Sequence, residues 1–365
     1  MQRLTKTVFI ATGLTAISIL GATLFYASFR RSGIANASPA PELISEVPAG
    51  ASTLIYADLA AIRASTFYQQ RPDKGPIAVP DRNYADFVQS TGFDFEKDLD
   101  RVVVASWEAD PAQGQNKQDP RKTVVIADGR FDRQKIHDYA LRKGKLDHQG
   151  GREVFLFPTN NPTGSPSARS PDGQGQAGLP DGQASWNSIT FLDDHRIAIV
   201  EGSSIALLLT HHDNAAAPDP VLERAARVAG AAVFLISRVP AIPDNYSQGG
   251  IQSAQLLSLA RSVQWVTLAA RPEGDNLRVS LEGECHTDSE ARQLQAALEV
   301  LRMFGRAGLE NPKTRDSMDP KVYAVLETVL KTAEVSASAE QVRVMVELTP
   351  DVLKLGGQAK MPKTQ

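Results

Sequence analysis

A single cysteine, Cys285, is all the thiol that this chain of 365 residues possesses. An intrachain disulfide framework and any multi-cysteine zinc or iron–sulfur site are therefore excluded. An excess of charge is missing too. Lys and Arg number 39 against 42 Asp and Glu, a formal net charge of −3, with no sustained basic block. That balance excludes a dedicated nucleic-acid binder, whose affinity rests on cations neutralising phosphates. No G-x-S-x-G, H-E-x-x-H, Walker P-loop or EF-hand spacing occurs. Apolar residues, at 42%, are plentiful enough to exclude wholesale disorder. The length suggests two domains, or one large one.

One long apolar run is present. Thr7 to Phe29, TVFIATGLTAISILGATLFYASF, is 23 residues without a charge. At about 1.5 Å per residue it makes roughly 34 Å of helix, enough to cross a hydrocarbon core ~30 Å thick. Arg3 and Lys6 flank one end and Arg30 and Arg31 the other, while Phe25, Tyr26 and Phe29 lie where interfacial aromatics sit. With the free amine, the short tail carries three positive charges to the far flank's two, a slight N-inside bias. Ala35-Asn36-Ala37 offers an A-x-A cleavage site, so a secreted or periplasmic protein cut at Ala37 is the alternative. The run exceeds the usual core of roughly 7–15 residues, and Arg30-Arg31 interrupts the approach to that site; both favour a retained anchor. We therefore expect residues 1–31 to be a membrane anchor or uncleaved signal, meeting the lipid bilayer through residues 7–29. The expected location is the inner (cytoplasmic) membrane, single-pass, with the soluble part extracytoplasmic. Residues 32–48, which include a Pro/Ala/Ser-rich stretch, form a tether.

Beyond the tether the patterns alternate between strands and helices. STLIYADLAAIR reads as a strand running into a turn or helix, and a short helical pattern around Tyr84, Phe87 and Val88 closes at Gly92. Arg101–Ser106 and Thr123–Ala127 are β-branched runs read as paired strands. Asp132 caps a helix presenting Ile136, Tyr139 and Ala140; Glu153–Phe157, Ser188–Leu192 and Arg196–Val200 complete an antiparallel set. Pro158 to Ser185 holds five Gly, five Pro and one large aliphatic, so it is expected to be a disordered loop. Asp219-Pro220 starts a helix that Gly230 closes. The pattern then partly returns. AGASTLIYADLAAIR at Ala49–Arg63 aligns without gaps to AGAAVFLISRVPAIP at Ala229–Pro243, 180 residues on, with five identities. A helical stretch near Gln255–Ala260 follows, then strands Gln264–Ala270 and Leu277–Cys285. A helix opened by the capping box Thr287-Asp288-Ser289-Glu290 carries apolar Ala291, Leu294, Leu298, Leu301 and Phe304. Asp319-Pro320 starts another helix, and Gln341–Leu348 alternates as a strand.

The phrases VPAGASTLIYADLAAIR, GRFDRQKIHDYALRKGK with GGREVFLFP, and ITFLDDHRIAIVEGSSIALLL resemble uncharacterised bacterial membrane-anchored envelope proteins of the domain-of-unknown-function kind. The resemblance implies an N-terminal hydrophobic segment followed by repeated α+β units. It is carried by structural signals and transfers no functional residue. The expected fold class is thus α+β: an N-terminal transmembrane helix, then two similar α+β units with antiparallel sheets of the β-β-α-β-β type. The first unit spans 49–217 with the loop 158–185, the second 218–356, and 357–365 is a disordered tail.

Candidate chemistry is sparse. Gly173–Gly178 matches G-x-G-x-x-G, but inside the loop and without the strand and helix that would hold pyrophosphate. Glu284-Cys285-His286 invites a cysteine–histidine reading. Neighbouring strand residues point to opposite faces, however, so Cys285 is expected in the core and His286 away from it. Asp193-Asp194-His195 reads as a hairpin turn, and His211-His212-Asp213 as the end of the Ser203–Thr210 helical stretch, though the two clusters hold metal-ligand atoms. His137 is expected at a solvated or half-buried helix position. No catalytic, cofactor-binding or metal residue is assigned, and no cofactor is expected. The function expected is a non-catalytic, membrane-tethered extracytoplasmic interaction or structural module of the cell envelope, with a possible envelope protein partner. The alternatives are an extracytoplasmic small-ligand or lipid binder with a cleft between the units, and a hydrolase with an unrecognised site.

Overall fold

Short β-branched and apolar runs, each bounded by a turn or a capped helix, assemble into a single sheet. A computed structural model describes residues 41–70, 82–107, 122–158, 186–209, 219–240 and 260–350. Its first elements are α1 (Pro41–Ser45), β1 (Thr53–Asp58), α2 (Leu59–Ala64), α3 (Thr66–Gln69), α4 (Arg82–Thr91), α5 (Phe95–Asp98), β2 (Leu99–Trp107) and β3 (Lys122–Gly129). Next come α6 (Arg133–Lys143), β4 (Lys145–Gln149), β5 (Arg152–Pro158), β6 (Trp186–Phe191), β7 (Arg196–Glu201) and α7 (Ala206–Leu209). The remainder is α8 (Pro220–Arg227), β8 (Val233–Arg238), β9 (Val263–Glu273), β10 (Asn276–Cys285), α9 (Asp288–Glu310), α10 (Pro312–Ser317), α11 (Pro320–Thr332), β11 (Glu334–Ser338) and β12 (Gln341–Leu348).

The fold is α+β with one large antiparallel sheet. Among the described residues its twelve strands run in the order β11-β12-β10-β9-β8-β1-β2-β3-β7-β6-β5-β4. The expected strand pairs are present, but the sheets of the two halves are continuous through β1 and β8. Read outward from that seam, each half lays down three strands in chain order, and a later strand returns beside the third: β7 beside β3, β12 beside β10.

Strand alternation fixes the two faces. On one, Leu54, Tyr56, Val103, Ala105, Val124, Ile126, Ala198, Val200, Phe234 and Ile236 form the principal core, covered by α1, α7 and α8. On the other, α2 and α3 seal Ile55, Ala57, Val102 and Val104 with fully buried Phe67 and Tyr68. Farther out, α6 seats Ile136 and Ala140 on Phe155 and Phe191, as its spacing predicts, and α9 seats Ala291 on Cys285 and Val342. Caps fall where the sequence places them. Asp132 accepts from Lys135 N at 3.1 Å, Thr287 from Glu290 N at 3.2 Å, and Gly92 follows α4 at φ +75°.

Some details differ from the sequence reading. Val228, not Gly230, caps α8; Gly230, at φ +82°, turns the chain two residues later. Edge strands β4 and β11 carry no sequence signal, because KLDHQ and EVSAS are too polar for apolar alternation to mark them. Such edges resist unwanted pairing for the same reason. Leu301 and Phe304 on α9 lie in solvent, at 49% and 68% exposure. The segments 1–40, 159–185, 210–218, 241–259 and 351–365, with the apolar run, most of the long loop, His211-His212-Asp213, nearly all of the Gln255–Ala260 stretch and the expected tail 357–365, lie outside the described residues.

The principal core ends at a row of charge. Asp58 stands opposite Arg101, Arg101 opposite Asp128, and Asp128 opposite Arg196, so four adjacent strands alternate in sign. Arg101 Nε donates to Asp128 Oδ2 at 3.0 Å, and Arg196 reaches Glu42 on α1 at 3.5 Å and Glu46 just after it at 3.4 Å. Burial pushes the carboxyl of Asp58 above its ordinary value, although it caps α2 through Ala61 N at 2.7 Å. A raised carboxyl destabilises the fold progressively as pH climbs from the unfolded value of about 3.9 toward the folded one. Asp58→Asn keeps the cap, so it should leave stability at pH 7 unchanged or higher and flatten its fall over that rise. Asp128→Asn strips Arg101 of its partner and should cost about 2–3 kcal/mol at pH 7. Urea unfolding of both variants between pH 4 and 8 makes the comparison; a loss at Asp58 as large as that at Asp128 would contradict it.

Candidate functional site

Among the described residues, those singled out in the sequence do not converge; His211-His212-Asp213 lies outside them. Cys285 is 1% exposed, packed by Ala291 and Val342, and burial pushes its thiol above the ordinary value. His286 points out to solvent, with Nδ1 3.0 Å from Ser262 O and 3.8 Å from Glu290. No nucleophile–base pair forms there. Asp193, Asp194 and His195 make the β6–β7 turn, in which His195 N donates to Asp193 Oδ1 at 2.8 Å. His137 is half-buried on α6, its ring edge-on to Phe155 at 5.5 Å. Among the described residues no group of three or more His, Cys, Asp or Glu could hold a metal ion. Gly173–Gly178 lies outside them.

A different constellation forms where α8 crosses the sheet. Asp219 caps α8 by accepting from Val221 N at 2.8 Å, Pro220 starts it, and Val221 and Ala225 join the core. Arg224 and Arg227, three residues apart, then lean over the strands. The Arg224 guanidinium lies 4.2 Å above the Trp265 ring, donates to Pro220 O at 2.8 Å and pairs with Glu284. Arg227 reaches Glu284 at 2.9 Å and Glu282 at 3.4 Å. Glu282 also takes Arg343 at 2.8 Å, so one carboxylate, only 12% exposed, holds a helix arginine and a strand arginine together.

Past this bridge the groove runs along β9, β10 and β12 with a volume of about 210 Å³. Arg271 and Arg278 stand directly opposite each other across β9 and β10. Arg271 Nη2 donates to Ala229 O at 2.9 Å, and Arg278 pairs with Glu273 at 2.9 Å. Ser280 and Thr267 add hydroxyls; Val228, Ala231, Ala269 and Met345 give an apolar lining. All of this falls within 218–356, so the groove is not a cleft between the two expected units.

The sequence carries a signal for this site that composition does not. Gly274-Asp275 is a two-residue hairpin turn, with Gly274 at φ +58° and Glu273 opposite Asn276. Counting back from that turn puts Arg271 opposite Arg278. Glu282, Arg343 and Arg227 carry no such local mark, because long-range pairing and the seating of α8 bring them together.

A second surface lies on the solvent side of α9. Val300, Leu301, Met303 and Phe304 are 43%, 49%, 62% and 68% exposed, and Val322 and Leu326 on α11 are 42% and 38% exposed. The inward side of α9 is apolar as well. Gly305 lies so close to Leu330 of α11 that an added Cβ would sit 3.1 Å away. Large apolar side chains thus lie open to solvent on α9 and α11, interrupted on α9 by the paired Glu299 and Arg302. Among the described residues no helix is long and apolar enough to cross a membrane.

No family model and no curated protein matches the chain. Three solved structures of TP0453 are similar to it at 9–10% identity. Crystal form I matches over 88% of this chain and 98% of its own, with a TM-score of 0.37. Form III covers 87% and 98% at 0.42, and form IV 87% and 95% at 0.43. At those scores the likeness carries no argument for this chain.

If Cys285 is a packing residue, a soluble maleimide should label it slowly in the native protein and quickly after denaturation. Cys285→Ser should destabilise more than Cys285→Ala, because it buries a hydroxyl. Fast native labelling with an apparent pKa below the ~8.5 reference would mark a reactive thiol instead.

Proposed function

We propose that the protein is a non-catalytic interaction module of the cell envelope, held at the inner membrane by residues 7–29 with its folded part extracytoplasmic. The observation that carries this reading is the uncovered apolar side of α9 and α11, with four large side chains between Val300 and Phe304 open to solvent. Surfaces of that kind mark contact with another apolar face. The uncharged run of 23 residues supports the tether. The partner is an envelope protein presenting an apolar surface.

The same reading takes the chain as a duplicated α+β unit, like the uncharacterised membrane-anchored envelope proteins it resembles. Two features support duplication. Both halves share a strand order outward from the seam. The gapless alignment at an offset of 180 residues also makes Ile55 equivalent to Leu235, and these two pair across the seam, with Leu54 opposite Ile236 and Tyr56 opposite Phe234. Exchanging the two strands therefore maps the ladder onto itself, as a two-fold axis between equivalent units requires.

Alkaline carbonate should leave the chain in the membrane pellet, and protease added outside the cytoplasm should reach residues beyond Ala37. Release by carbonate would remove the anchor, and protection from the protease would reverse the topology. Phe304→Gln should change stability by less than about 0.5 kcal/mol, as surface substitutions do. It should also abolish cross-linking of the wild-type partner; undiminished cross-linking would remove α9 from the interface.

A further inference from the structure

We infer that the groove between α8 and the open side of β9, β10 and β12 binds a phosphate monoester. Three observations meet there. First, the lining holds four arginines, Arg227, Arg271, Arg278 and Arg343, against two glutamates, Glu273 and Glu282; Glu284 beside the lining also takes Arg227, and Arg271 donates to a backbone carbonyl, Ala229 O, where its neighbours have carboxylates. A phosphate monoester brings roughly −1.5 to −2 at neutral pH, whereas one carboxylate brings half that or little more.

Second, like charges directly opposite on neighbouring strands destabilise a sheet. Elsewhere on this side the protein avoids that arrangement, since Asp58, Arg101, Asp128 and Arg196 alternate in sign over four strands. Arg271 opposite Arg278 departs from the pattern at the groove, while Glu347 faces Arg278 from β12. A dianion set between two guanidinium forks turns the repulsion into two sets of charge-assisted hydrogen bonds.

Third, the same side of the sheet is treated differently in the two halves. In the row through Tyr56, Ala198, Ile126 and Val103 are buried on one side of the seam. On the other side the row passes through Phe234 and Ala269 to Ser280 and Met345, which line the open groove. The Ser280 hydroxyl adds a neutral donor, and Met345 and Ala269 offer a place for the organic part of the ligand. That ligand is a small soluble monoester or the headgroup of a lipid bearing one. The inference does not depend on the tether or on the α9 surface.

Calorimetric titration of the full chain in detergent with glycerol 3-phosphate, at ionic strength fixed with chloride, tests it. Co-sedimentation with phosphatidylcholine vesicles, with and without phosphatidic acid, forms the second arm. Binding in the first arm alone assigns a soluble ligand, and binding in the second alone a lipid headgroup; either supports the groove. Arg278→Gln should weaken the observed binding at least about tenfold. The unliganded variant should melt close to wild type, because the Arg278–Glu273 pair that it loses is solvent-exposed and a like-charge neighbour goes with it; a purely structural arginine would lower the melting temperature. If that variant does not fold, Arg278→Lys keeps the charge, removes the fork and should still weaken binding. Failure to bind in both arms, equal affinity in these variants, or equal affinity for succinate would overturn the assignment.

Discussion

Five register pairs, from Thr53 opposite Ser237 to Ala57 opposite Val233, join β1 to β8 and make one sheet out of two halves. Both faces depend on them. Tyr56 and Phe234 stack across the seam at 5.1 Å, and their neighbours Leu54 and Ile236 are fully buried. Each such side chain contributes about 1.5–3 kcal/mol when removed from water. Polar contacts fix the same alignment: Thr53 Oγ1 lies 2.9 Å from Ser237 Oγ, and Arg238 N donates to Ser52 O at 2.8 Å. The seam also positions the groove, because Gly50 N, just before β1, donates at 2.9 Å to Asp219 Oδ2, the carboxylate that caps α8.

Much of the scaffold was legible because its signals are local. Alternation in Arg101–Ser106, Thr123–Ala127 and Leu277–Cys285, and caps at Asp132, Asp219 and Thr287, each act within a few residues, and each element formed close to where it was expected. Two kinds of feature escaped. Edge strands such as Lys145–Gln149 bury little, so the pattern that reveals a strand is missing. Continuity of the sheet escaped as well, because the gapless alignment of Ala49–Arg63 with Ala229–Pro243 reveals likeness and not adjacency. Equivalent segments could as well have belonged to two separate sheets.

The groove was harder to foresee than the fold for a related reason. Motif searching asks which residue types lie near one another in sequence, and it led to Cys285-His286 and Asp193-Asp194-His195. Strand geometry separates the first pair, and a turn accounts for the second cluster. Glu282, Arg227 and Arg343 are separated by tens of residues, and each alone is an ordinary surface charge. The apolar side of α9 shows the converse. Leu301 and Phe304 continue the apolar spacing of Ala291, Leu294 and Leu298, yet only the inward stripe through Ala291 meets the sheet.

The seam also has a cost in time. β1 gains β2 within about 50 residues of chain, but its other edge stays unpaired until β8 emerges, 180 residues later. At roughly 5–20 residues per second of synthesis, that edge waits about 10–40 s. Throughout that interval it is a nearly uncharged strand, TLIYAD, and its later partner has the same local two-fold relation to it that another copy of β1 would have. Two nascent chains side by side thus offer each other a substitute for β8, a route to strand-exchanged dimers. A chaperone that shields short apolar strands where the chain emerges then governs how much of the protein escapes that exchange.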